Sequence, residues 1–92
     1  LSDEKVHARF LIIGKVQGVF YRASARSEAQ RLGLRGHARN LPEGAVEVIA
    51  SGAAQAVAAF EIWLQEGPPL AEVSSIERTP LNDEPAPGFR VF

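Results

Sequence analysis

Between Gly14 and Arg22 the chain reads Gly-Lys-Val-Gln-Gly-Val-Phe-Tyr-Arg, a run suited to gripping an oxyanion. It joins a strand-like segment to the first turn of a helix. Amides at a helix N-terminus have no intrahelical partner, and the helix dipole adds partial positive charge there. A glycine-containing turn at that point can wrap an anion with successive backbone N–H groups. Arg22 stands where its guanidinium can reach the same anion with paired, charge-assisted hydrogen bonds. A lysine has no such fork. A glycine-bearing turn before an arginine is common, and neither a Walker pattern nor G-x-G-x-x-G is present, so no nucleotide motif is matched.

Other chemistries find little support. Cysteine is absent, which removes thiolate nucleophiles, disulfides and cysteine-held metals. His7 and His37 show no metal-ligand spacing, so neither a metal nor another cofactor is expected. Glu43 and Glu47, near a tight turn, read as surface carboxylates, and no pair of acids is placed for acid–base work. Trp63 reads as core. Charge is uneven: between residues 5 and 39, Lys5, Arg9, Lys15, Arg22, Arg26, Arg31, Arg35 and Arg39 face the single acid Glu28. Most of these are solvated faces, but together they draw anions toward the first third of the chain.

The elements that must position the loop follow from periodicity. Val6, Ala8, Phe10 and Ile12 alternate with His7, Arg9, Leu11 and Ile13 as a strand that Gly14 ends. Tyr21, Ala25, Ala29 and Leu32 form a helical stripe, with Gly33 just past the helix end. Leu34 to Leu41 reads as a second strand, Pro42-Glu43-Gly44 as a turn, and Val46, Val48 and Ala50 as a third strand completing a hairpin. A second helix opens at Ser51 or Gly52, buries Val57, Phe60 and Leu64, and stops at Gly67-Pro68-Pro69. Glu72 to Thr79 is a fourth strand whose broken alternation suggests a bulge or an edge. Pro80 to Pro87 is a loop, and Phe89 to Phe92 a short fifth strand. The βαββαβ order predicts an α+β, ferredoxin-like sandwich, an antiparallel sheet with two helices on one face. That fold hosts unrelated functions, so the site must decide.

Ninety-two residues, 46% of them apolar, predict one soluble domain spanning 1–92. No apolar run nears the ~20 residues a membrane helix needs. The acidic start Leu1-Ser2-Asp3-Glu4 is unlike a signal peptide, so a cytoplasmic location is the default expectation.

The run Gly14 to Arg22 resembles the acylphosphatase signature, in which a glycine, a Val-Gln-Gly-Val core and an aromatic–arginine pair follow one another. The likeness continues through Leu32-Gly33-Leu34, Gly36, Asn40, Pro42-Glu43-Gly44, Val46-Glu47, Gly52 and Gly67-Pro68-Pro69. It therefore spans essentially the whole chain. The resemblance implies hydrolysis of a carboxyl phosphate to carboxylate and inorganic phosphate. It implies that Arg22 binds the phosphate with the backbone amides of Val16, Gln17, Gly18, Val19 and Phe20, and that Asn40 orients the attacking water. The partners it implies are a small acyl phosphate and inorganic phosphate as product and inhibitor, with no nucleic acid, no membrane and a monomeric chain.

Two residues depart from the pattern. His37 lies where an aromatic residue is frequent, and alternation puts it on the strand face opposite Asn40. Tyr21 stands where phenylalanine is usual, its ring packing under the helix and its hydroxyl seeking a polar partner. A non-catalytic ferredoxin-like module binding RNA or regulating a partner is the competing reading. The strands lack the aromatic pattern of an RNA-recognition sheet, and the net charge is slightly negative. A domain of a larger carbamoyl-handling enzyme is a third reading, left open by a chain that does not start with methionine.

Overall fold

Residues 4–92 are described by a computed structural model; the acidic start Leu1-Ser2-Asp3 lies outside the described residues. The elements are β1 (Lys5–Lys15), α1 (Tyr21–Arg31), β2 (Arg35–Asn40), β3 (Val46–Ala53), α2 (Ala54–Glu66), β4 (Glu72–Pro80) and β5 (Phe89–Val91). Their order in the single sheet is β4-β1-β3-β2-β5. Alternation decides which face is covered. Ala8, Phe10 and Ile12 of β1, Val46, Val48 and Ala50 of β3, and Ala38 of β2 are completely buried. Against them α1 buries Tyr21, Ala25 and Ala29, and α2 buries Val57, Phe60 and Leu64. Each large apolar side chain so buried contributes about 1.5–3 kcal/mol. Phe60 meets Phe89 edge-on at 6.0 Å and stacks on the half-buried Trp63 at 6.2 Å, so Trp63 belongs to the core edge as expected. This is the ferredoxin-like α+β sandwich, with the opposite sheet face open.

Four strands are antiparallel, whereas β5 joins β2 in parallel, so the sheet is mixed. Connectivity explains this. Pro80 leaves the sheet opposite Ala8, at the end where β2 also begins, and the returning chain enters β5 from that same end. The connecting loop is fastened there by Leu81 N–H to His7 O, Lys5 and Arg35 to the Glu84 carboxylate, and Gly36 N–H to Gly88 O.

Several boundaries differ from the sequence reading: Pro80 still belongs to β4 and β5 stops at Val91, and three further differences have a clear physical cause. Gly14 does not end β1; the strand runs on to Lys15 past a bulge between Ile13 and Gly14, opposite the edge strand β4. At Gly14 φ is 142°, and a Cβ would lie 2.1 Å from Glu72 O, so only glycine fits where the strand turns toward the loop. Ser51 and Gly52 are strand rather than helix, because β3 is laddered on both sides, to His7 and Val6 of β1 and, through Ser51, to Arg35 of β2. β2 itself is shorter than Leu34 to Leu41, ending at Asn40 where the turn begins.

Candidate active site

The loop from Val16 to Phe20 is held by what it buries. Val16 and Val19 sink into the core, 1% and 7% exposed, while Gly18 between them stays at the surface with φ 76°. Nothing lies within 4 Å of where a Gly18 Cβ would be, so the backbone angle, not space, demands glycine there. Phe20 is the N-cap of α1 and takes a left-handed conformation, φ 64° and ψ 21°. No side chain caps the helix. The amides of its first turn therefore face outward beside the loop.

A cavity of about 280 Å³ opens at this helix start, lined by Val16, Gly18, Phe20, Tyr21, Arg22, Ala23 and Val91. Arg22 is its one charged wall. The Arg22 Nη1 donates to the backbone oxygen of Phe92, whose own N–H donates to Ala38 O. Asn40 follows two residues later on β2. It shares the sheet face of the buried Gly36 and Ala38, at the strand's exposed end. Asn40 is not itself in the cavity wall; it stands on the adjoining strand end.

Gln17 ties the two parts together. Its Nε2 donates to Leu41 O and Ala45 O, both at 2.9 Å, which staples the loop to the turn that follows Asn40. The sequence reading used only the backbone amide of Gln17. Its side-chain partners are 24 and 28 residues away, and no local pattern signals them. Below the site the Tyr21 hydroxyl donates to Leu64 O at 2.7 Å, the polar partner its burial requires, and burial pushes its pKa upward.

His37 lies on the open face, opposite Asn40. Its Nε2 is 3.1 Å from Glu47 Oε1 and its ring meets that of Phe92 edge-on. Glu47 is not the surface carboxylate expected: Arg9 Nε and Arg39 Nε, both at 2.8 Å, close over it with His37 and leave the residue 7% exposed. Burial pushes its pKa up. The hydrogen bonds from Arg9 and His37, with the charges of Arg39 and Arg9, outweigh that and hold the carboxyl below its ordinary range. Glu43 is exposed. Among the described residues, no three His, Cys, Asp or Glu side chains cluster to hold a metal ion, and no helix is long and apolar enough to cross a membrane.

Residues 8–91 match the acylphosphatase family model. The chain belongs to the acylphosphatase family. It is accordingly a hydrolase acting on acyl phosphates. An acylphosphatase of Alkalilimnicola ehrlichii is 51% identical over 84 residues, covering 91% of this chain and 94% of its own length. One of Xanthomonas oryzae pv. oryzae is 54% identical over 82 residues, covering 89% and 93%. The solved structure of an acylphosphatase from Coxiella burnetii superposes with a TM-score of 0.91 at 39% identity, covering 96% of this chain and 93% of that one.

Proposed function

We propose that residues 1–92 belong to one acylphosphatase domain, a monomeric, metal-independent enzyme that cleaves the carboxyl-phosphate bond of small acyl phosphates in the cytoplasm. The observation that carries this is Arg22, the single charge in the wall of a cavity that opens on the uncapped start of α1. The phosphoryl oxygens lie against the amides of Val16 to Phe20 and against the guanidinium, which has five N–H donors and gives one of them to Phe92. That bond orients the fork and leaves its remaining donors for the anion. Asn40 holds the attacking water with a carbonyl acceptor and amide donors, positioning it without deprotonating it.

In the reaction, the water oxygen bonds to phosphorus as the bond from phosphorus to the acyl oxygen breaks. The electron pair departs on the carboxylate. A phosphoryl oxygen accepts the water's proton, so inorganic phosphate and the carboxylic acid anion result. Carboxylates are good leaving groups, their conjugate acids having pKa values of about 4, so no side-chain acid is required. Catalysis is then in-line positioning with stabilisation of charge on the phosphoryl oxygens.

The test is hydrolysis of benzoyl phosphate by chelator-treated protein, with Arg22→Ala alongside. Wild type should turn over, inorganic phosphate should inhibit competitively, and Arg22→Ala should lose about a hundredfold or more in rate, the size of effect one preorganised donor has. A wild type without turnover would support the non-catalytic binding module instead.

A further inference from the structure

Phe20 is expensive for the folded chain and does nothing visible for the fold. It is the single non-glycine residue at positive φ among the described residues, in a region that bulky side chains avoid. The residue is 76% exposed, so it adds little to the core, and its side chain makes no capping hydrogen bond for α1. Strain of this kind persists where surrounding structure or function requires it. The ring also stands on the lip of the cavity that holds Arg22. Around that arginine the remaining side chains of the wall are Val16, Phe20, Tyr21, Ala23 and Val91, carbon surfaces almost throughout.

We infer that Phe20 is a specificity-determining residue whose ring covers the acyl group, selecting acyl phosphates with an apolar, preferably aromatic, acyl part. This rests on the phosphate-binding role proposed for the loop and extends it. With the phosphoryl group against Arg22 and the loop amides, the acyl group points out of the cavity past its lip. There an exposed phenyl ring can lie against a second ring, in stacked or edge-on contact, and shed water from both. An acetyl group offers one methyl to the same surface. The left-handed backbone at Phe20 goes with an exposed residue in the cavity lining and not a buried one in the core, which is how strain at this residue acquires a use.

The experiment is the ratio of kcat/KM for benzoyl phosphate to that for acetyl phosphate, measured for wild type, Phe20→Gly and Phe20→Tyr, with thermal unfolding of each. Any change in the cradle common to both substrates cancels in the ratio. Phe20→Gly should lower the ratio about five- to tenfold, the scale of losing one aromatic contact and its buried area. The same substitution should leave the unfolding temperature equal or higher, since glycine accepts positive φ without strain. Phe20→Tyr should restore most of the ratio. An unchanged ratio in Phe20→Gly overturns the inference while leaving the hydrolase reading intact, and a marked fall in unfolding temperature overturns it by making the ring structural. A wild type that hydrolyses neither substrate overturns the hydrolase reading and this inference with it.

Discussion

The Gln17 side chain is the least conspicuous part of the site and the most exacting to test. Its Nε2 spans from the loop to Leu41 O and Ala45 O, and both carbonyls have another donor: Gly44 N–H reaches Leu41 O and Leu41 N–H reaches Ala45 O. Gln17→Ala therefore removes two hydrogen bonds without stranding either acceptor. At about 1 kcal/mol per bond the loss is about 1–2 kcal/mol, which lowers the unfolding temperature by roughly 5–15 °C in a domain this size. Gln17→Glu keeps the volume but sets an ionised carboxylate against two carbonyl oxygens, so it should be worse than alanine at neutral pH. Those carbonyls raise that carboxyl's pKa above its unfolded value, so its penalty is full above the folded pKa and fades as pH falls through it. Thermal unfolding of both variants, followed by circular dichroism at pH 7 and pH 5, gives the comparison. Turnover should fall in both, since the loop is then free to shift relative to Asn40. Equal stability for wild type and Gln17→Ala would refute the staple. A glutamate variant as stable as wild type at pH 7 would refute the donor assignment.

Asn40→Ala should cost turnover by about a hundredfold, the scale of misplacing a reacting group by an ångström, while the inhibition constant of inorganic phosphate changes little; the reverse pattern would end the water-positioning role. Tyr21→Phe should cost about 1–2 kcal/mol by removing the bond to the Leu64 carbonyl, read as a lower urea midpoint. Glu47 has a folded pKa below its unfolded value, so it contributes stability that is present above about pH 4.3 and lost as pH falls through the folded value. Glu47→Gln should therefore flatten the acid limb of the stability curve below about pH 5; an unchanged limb, by urea unfolding at stepped pH, would remove Glu47 as its source.

Local periodicity made the element order legible. The Tyr21, Ala25, Ala29 stripe and the Gly33 stop read out α1, and alternation in β1 and β3 marked the covered face. What escaped was set by partners far along the chain. Ser51-Gly52 looks like a helix start in isolation, yet pairing with strands on both sides keeps it extended. The parallel direction of the three-residue β5 depends on where a long loop re-enters the sheet. Glu47 is buried only because Arg9 and Arg39 come from neighbouring strands. At the site, the loop and Arg22 announce themselves by type and spacing. The staple by Gln17 and the left-handed Phe20 do not: one is a long-range contact, and the other puts a bulky side chain where positive φ would suggest glycine.

The two sheet faces divide the work in a way that bears on mechanism. The open face holds a polar network, with Glu47 gripped by Arg9, His37 and Arg39, and His7 Nδ1 lying 2.6 Å from the Ser51 hydroxyl. The cavity at the start of α1 holds an arginine and backbone amides, with an asparagine on the adjoining strand end. Acid should therefore act on this protein's stability by way of Glu47 on the open face, away from the cavity. A site so built needs no tuned acid or base, but it depends wholly on placement. That is why the bulge at Gly14, the turn at Gly18 and the Gln17 staple matter as much as Arg22: each fixes where an amide or a guanidinium points, and for an anion held by donors of fixed charge, direction is what the fold can still adjust.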